Sequence, residues 1–185
     1  MEYEIRRSAR RSAAIEIKND AVIVRVPMHY SDAMAKELVK KHRGWIEKKL
    51  RQIDERKKDA ALKGFSDEKL TEAEIRRLKN EARKAFPERI EKYAQLVGVT
   101  PGKISFGTAK TRWGSCSAGG NLRFNALLML TPDPVIDSVI VHELCHIKQM
   151  NHSKRFYEEV VRVFPEYRKW NGWLKENGKY LLQRL

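Results

Sequence analysis

His142-Glu143-Leu144-Cys145-His146, with His152 six residues further on, places three of the chain's five histidines within eleven residues. On a helix, side chains four apart stack on one face, so His142 and His146 present two imidazoles to a single metal ion. Glu143 lies about 60° around the axis from His146, within reach of a water on that ion without being a ligand. Two nitrogen ligands and an adjacent carboxylate are the parts of metal-assisted hydrolysis, with zinc the expected ion.

His152 requires more than one helix. Continued helix would carry it about 240° around from His146, away from a shared ion. The helix therefore has to break first, with Asn151 the expected left-handed terminating residue and Ser153 the N-cap of the next helix. A histidine in that turn completes a three-nitrogen site and leaves a fourth position for water. Glu158 and Glu159 on the following helix are the rival third ligands, and His152 is preferred because it sits in the turn. Cys145 falls off the ligand face and reads as a packing residue.

The metal helix is expected to begin at Thr131-Pro132-Asp133-Pro134, with a capping oxygen and a proline in its first turn. Ile136, Ile140, Leu144 and Ile147 form one apolar stripe. Val135 and Val139 lie one and two turns before the ligands on the metal side. One face is thus core and the other the floor of a cleft.

Working outward, the preceding segment reads as a ribbon. Ile104 to Thr108 is a strand, Thr111 to Ser117 is irregular, Gly119-Gly120 is a turn, and Asn121 to Leu130 is a second strand. Towards the N-terminus, residues 14–17 and 22–26 alternate around Asn19-Asp20 as a hairpin. Ser31 or Asp32 then opens a long basic helix to about Arg56, with Met34, Leu38, Trp45, Ile46, Leu50 and Ile53 inward. A polar connection follows over 57–70. Thr71 to Glu74 is a capping box for a helix that Pro87 should kink and Gly98 should end. After His152, Phe156, Val160, Val163 and Phe164 mark one helix. Trp170, Trp173 and Leu174 mark a last one ending near Gly178. The order predicts an α+β fold: residues 1–60 as hairpin plus basic helix, and residues 71–185 as the metal-dependent hydrolase domain.

With 185 residues the chain is long enough for a substantial core, and 42% hydrophobic content fits a globular protein. No apolar run approaches the roughly 18–20 residues of a membrane span, and the N-terminus lacks a signal-peptide core, so the expectation is a cytoplasmic protein without a membrane partner. Two cysteines argue against a disulfide scaffold. The net charge is +14. Residues 92–132 contain no Asp or Glu yet carry Lys92, Lys103, Lys110, Arg112 and Arg123. An acid-free stretch leading into a metal helix suits an anionic partner or substrate, a nucleotide or a nucleic acid.

The segments TRWGSCS (111–117), NLRFN (121–125) and VIVHELCHIKQMNHSKRF (139–156) resemble the YgjP-like metallopeptidases, a zincin group related to the SprT-like and WLM-type metalloproteases. The resemblance extends to the N-terminal hairpin and the basic helices. It implies a compact zincin-like domain with the HExxH helix beside a small antiparallel sheet. It also implies zinc held by His142, His146 and His152, with Glu143 as general base. Arg112 and Trp113 are implied to line the cleft. Metzincins fit less well, because they carry a glycine where Gln149 stands and a later methionine turn, and no methionine follows Met150.

The function expected is zinc-dependent hydrolysis of a peptide or unfolded protein, the substrate held along a sheet edge. One alternative is a nucleoside triphosphate pyrophosphatase, an activity also associated with the family. It is disfavoured by the lack of a glycine-rich phosphate loop and of carboxylates for magnesium. A second alternative is a SprT-like protease acting at DNA, for which the basic helices supply phosphate contacts but no sequence readout.

Overall fold

The computed structural model describes residues 2–18 and 21–185. The chain divides into two compact units, Met1–Gly64 and Phe65–Leu185. Both mix strands and helices, and the fold is α+β.

In the first unit β2 (Ala14–Lys18) pairs antiparallel with β3 (Ala21–Pro27), placing Ile15 opposite Val24 and Ile17 opposite Val22. The turn expected at Asn19-Asp20 lies outside the described residues. A strand that the sequence did not reveal, β1 (Glu4–Ser8), pairs parallel with β3 and makes it the central strand. Only Ile5 of β1 is turned inward, so its charged sequence has no strand signature.

The single long helix expected from Ser31 is two helices, α1 (Asp32–Lys41) and α2 (Arg43–Leu62), divided at His42. No apolar side chain continues the stripe between Val39 and Trp45, and the bend carries the chain from β3, against which α1 packs, to β2, against which α2 packs. Ala35, Val39 and Ile46 reach the core of this unit. Met34 and Trp45, expected inward, are 46% and 45% exposed. The helix also outruns its expected end, because the good helix formers around the buried Ala60 carry it to Leu62.

The second unit opens with α3 (Glu72–Val97), capped as predicted. Thr71 N–H donates to the Glu74 carboxylate at 2.7 Å, and Glu74 N–H donates to the Thr71 hydroxyl at 3.2 Å. Pro87 removes one rung, yet the helix runs through it, held on either side by buried Phe86 and Ile90. Gly98 ends it in the left-handed region at φ 74°.

Three short strands follow: β4 (Ile104–Gly107), β5 (Gly114–Cys116) and β6 (Leu122–Asn125). The sheet is mixed rather than antiparallel: β6 is central, antiparallel to β5 but parallel to β4. The chain must cross from β4 on one side of β6 to β5 on the other. The buried Asn125 amide fixes that crossing by donating to the carbonyls of Ala109 and Arg112, at 2.9 and 3.0 Å. Residues 114–116 are thus strand where an irregular segment was predicted. The strand predicted to reach Leu130 stops at Asn125, whose side chain caps a 3-10 helix over Ala126–Leu130.

Helix α4 (Asp133–Cys145) is buried on almost every side, its two-faced expectation overridden by packing from α3, β5 and α6. Pro132 stands at its N-cap without a side-chain cap, because the Thr131 hydroxyl donates instead to Leu128 O at 2.7 Å. Arg89 of α3 pairs with Asp133 and Asp137 of α4, at 2.9 and 2.8 Å. Helices α5 (Lys154–Val163) and α6 (Tyr167–Leu182) complete the unit, α6 continuing past Gly178. Among the described residues, no helix is long and apolar enough to cross a membrane.

Candidate metal centre

Helix α4 stops at Cys145, earlier than the expected break at Asn151, and His146 is its C-cap. The turn that follows returns His152 to the helix end, and Ser153 caps α5 by accepting from Phe156 N–H at 3.3 Å. The three imidazoles converge through Nε2: His142 to His146 is 3.2 Å and His142 to His152 is 3.0 Å. Potential ligand atoms of all three lie within 4.8 Å of one another. Three nitrogens at about 2.0–2.1 Å from a tetrahedral ion stand roughly 3.3 Å apart, close to the two separations measured from His142.

The opposite ring nitrogens explain why Nε2 faces inward. His146 Nδ1 lies 3.0 Å from the carbonyl of Gln149, an acceptor only, so that nitrogen carries the proton. His142 Nδ1 lies 2.8 Å from the Tyr167 hydroxyl. With Nδ1 as donor there too, both Nε2 atoms keep a lone pair to offer a shared cation. Burial, and then the neighbouring His146 and His152, push the His142 pKa down to about 3, which keeps the ring neutral. Burial likewise lowers that of His146. Tyr167 is raised well above its ordinary range, first by burial, so its hydroxyl stays protonated.

Glu143 is 5% exposed, and burial raises its carboxyl to about 7. It lies directly on β5. A methyl group at Gly114 would stand 2.7 Å from Glu143 Cγ and 2.8 Å from Cδ, so only glycine lets the strand approach this closely. The Cys116 thiol, two residues along, is pushed up by burial and then by the Glu143 charge. Strand β5 is an edge of its sheet and runs beside the histidine helix.

The remaining residues singled out in the sequence have the following neighbours. The Trp113 indole packs on α6, where a methyl at Gly178 would stand 2.9 Å from the ring. Arg112 is exposed and borders, with Arg123, a hollow of about 30 Å³. Glu159 is engaged by Lys148 and Arg162, each at 2.9 Å, and Glu158 pairs with Lys154 at 3.7 Å. Cys145 is fully buried in the core. Tyr157 stacks against His152, ring centroids 6.1 Å apart. Sequence reasoning missed Tyr167, the Gln149 carbonyl and the close seat of Gly114. Tyr167 stands twenty-five residues from its partner, and no local spacing announces it.

The family model described as YgjP-like, metallopeptidase domain, matches residues 11–71 and 58–177. A curated relative, the UTP pyrophosphatase of Escherichia coli (strain K12), is 30% identical over 93 residues, which make up 49% of this chain and 56% of that protein. The match thus spans little more than half of that relative's length. Among solved structures, the metallopeptidase zymogen of Pyrococcus abyssi abylysin aligns with a TM-score of 0.45 at 20% identity. That alignment covers 50% of this chain and 94% of the other.

Proposed function

The chain belongs to the YgjP-like metallopeptidase family, whose members are metal-dependent hydrolases, and from that premise we propose that it is a zinc peptidase taking its substrate as an extended strand. The observation that carries this reading is the seat of Glu143, pressed on Gly114 of an edge strand and next in sequence to a converging histidine. An edge strand offers unpaired backbone groups to an extended chain, which brings a peptide carbonyl alongside the carboxylate.

His142, His146 and His152 would hold the ion through Nε2. When bound, a zinc ion supplies a Lewis acid and lowers the pKa of water toward about 7. Glu143 takes the proton of the attacking water on a carboxylate oxygen and returns it to the departing amine nitrogen. A buried carboxyl raised to about 7 both accepts and releases a proton near neutral pH. The protonated Tyr167 hydroxyl and the Gln149 carbonyl hold two imidazoles in register. The wall formed by Gly114–Cys116 orients the substrate backbone.

A second reading, hydrolysis of a nucleoside triphosphate, is favoured by the name of the Escherichia coli relative and by the acid-free stretch 92–132. Against it, Arg112 and Arg123 border a hollow of about 30 Å³, room for a water molecule rather than a chain of phosphates. The deciding experiment is metal analysis of the purified protein, then assay of unfolded casein and of UTP side by side, wild type against Glu143→Gln. The expected result is casein hydrolysis that falls about 10²–10⁴-fold in the variant while the metal is retained. UTP consumption with casein untouched would put the second reading in its place.

A further inference from the structure

Helices α5 and α6 enclose a groove of about 800 Å³ that the chemistry described so far does not use. Tyr157 and Tyr167 line it and also touch the histidine cluster, Tyr157 stacking on His152 and Tyr167 hydrogen-bonded to His142. Two residues of the groove wall thus touch the imidazoles themselves, and the groove adjoins the histidine cluster.

Along α6 its wall is Arg168, Asn171, Gly172 and Lys175, a stripe at spacings of three, four and seven. The side chains of Arg168 and Lys175 make no hydrogen bond or ion pair among the described residues. The wall on α5 brings one acid, Glu158, and it is matched by Lys154 at 3.7 Å. The net sign of the groove is positive, from two cations with no carboxylate of their own. Gly172 has no atom within 4 Å of where its Cβ would stand. No close packing demands a glycine there, although one weakens a helix interior, and its lack of a side chain keeps the groove wide.

We propose that this groove is the specificity cleft of the site, and that Arg168 and Lys175 select a peptide segment bearing acidic side chains. The aromatic and aliphatic walls of Tyr157, Val161 and Tyr167 suit the carbons of such a segment, and the two cations suit its carboxylates. The choice of a peptide rests on the peptidase reading; the choice of an anion rests on the groove alone.

The test uses the full-length Glu143→Gln protein loaded with zinc, which binds without turnover. Three fluorescein-labelled peptides of one sequence carry a pair of Glu, of Gln or of Lys at the same two positions, and anisotropy gives their affinities. The Glu peptide is expected to bind about tenfold more tightly than the Gln peptide, the size of one to two charge-assisted contacts, with the Lys peptide weakest. Arg168→Gln with Lys175→Gln should bring the Glu/Gln ratio close to one, whereas Arg168→Lys should keep most of it. Gly172→Leu, whose Cβ has no protein atom within 4 Å and which favours helix, should weaken all three peptides by filling the groove. Equal binding of the Glu and Gln peptides, or a preference that survives the double substitution, overturns the proposal. The zinc-loaded wild type separates the two layers of inference. Cleavage of all three peptides at equal rates leaves the peptidase standing without this cleft. Consumption of UTP with no peptide bound or cut removes both.

Discussion

His142 and His146 are set by α4, buried or half-buried, each with its second ring nitrogen in a hydrogen bond, whereas His152 is exposed and stands in the turn before α5. The ring of His152 is held by aromatic faces, Phe156 edge-on at 5.0 Å and Tyr157 stacked at 6.1 Å. Among the described residues its other nitrogen has no partner. A helix end delivers two ligands already oriented, and a turn brings the third to them. The difference teaches where the affinity for the ion is stored. The pair on α4 is prepared before the ion arrives, and the turn contributes most once the ion is there.

The strongest way to break this contrast is to compare deletions. His142→Ala should abolish stoichiometric zinc, measured by metal analysis after gel filtration. His152→Ala should retain a weaker, titratable site. Equal loss in the two variants would mean the turn is as well prepared as the helix. Next in size, Tyr167→Phe keeps the ring and removes the hydroxyl beside His142. It should cost about 10–100-fold in zinc affinity or activity, read by competition with a chromogenic chelator. A change no larger than that of Tyr157→Phe would make Tyr167 mere packing.

Gly114→Ala probes the base rather than the ligands. A methyl there collides with Glu143, so overpacking of about 1–3 kcal/mol is expected in denaturant melts. Hydrolytic activity should fall further than metal affinity does, because the carboxylate is displaced and the imidazoles are not.

The smallest effect is expected from acid, and it concerns the turn. Glu159 is held down to about 2, chiefly by Arg162, with Lys148 adding to that pull against burial. Lys148 lies in the turn between His146 and His152, so this carboxylate ties the turn to α5. A depressed carboxyl contributes its stability above the ordinary range near about 4.3 and loses it as pH falls towards 2. Glu159→Gln should therefore be less stable than wild type at neutral pH and indistinguishable from it near about pH 2. A stability gap unchanged across that window would detach the turn from the ion pair.

What was legible in the sequence followed from short-range rules. The capping box at Thr71, the left-handed Gly98 and the Ser153 N-cap all sit where local chemistry puts them. The need for a break before His152 came from helix geometry alone, although the break itself falls at His146, where the Gln149 carbonyl rewards the exit from the helix. What stayed hidden depends on distant partners. Strand β1 shows one inward residue, so its pairing with β3 leaves no periodic trace. The parallel setting of β4 depends on Asn125 reaching back to Ala109 and Arg112. Helix α4 reads as amphipathic, yet neighbours that include α3, α5, α6 and β5 bury both its faces.

The hydrogen bond from His142 to Tyr167 spans twenty-five residues, with the whole of α5 in between. Synthesis runs from the N-terminus, so a growing chain emerges from the ribosome with its histidines in place and the hydroxyl that steadies them still unmade. In a chain built in this order, the hydroxyl beside His142 arrives only when α6 docks.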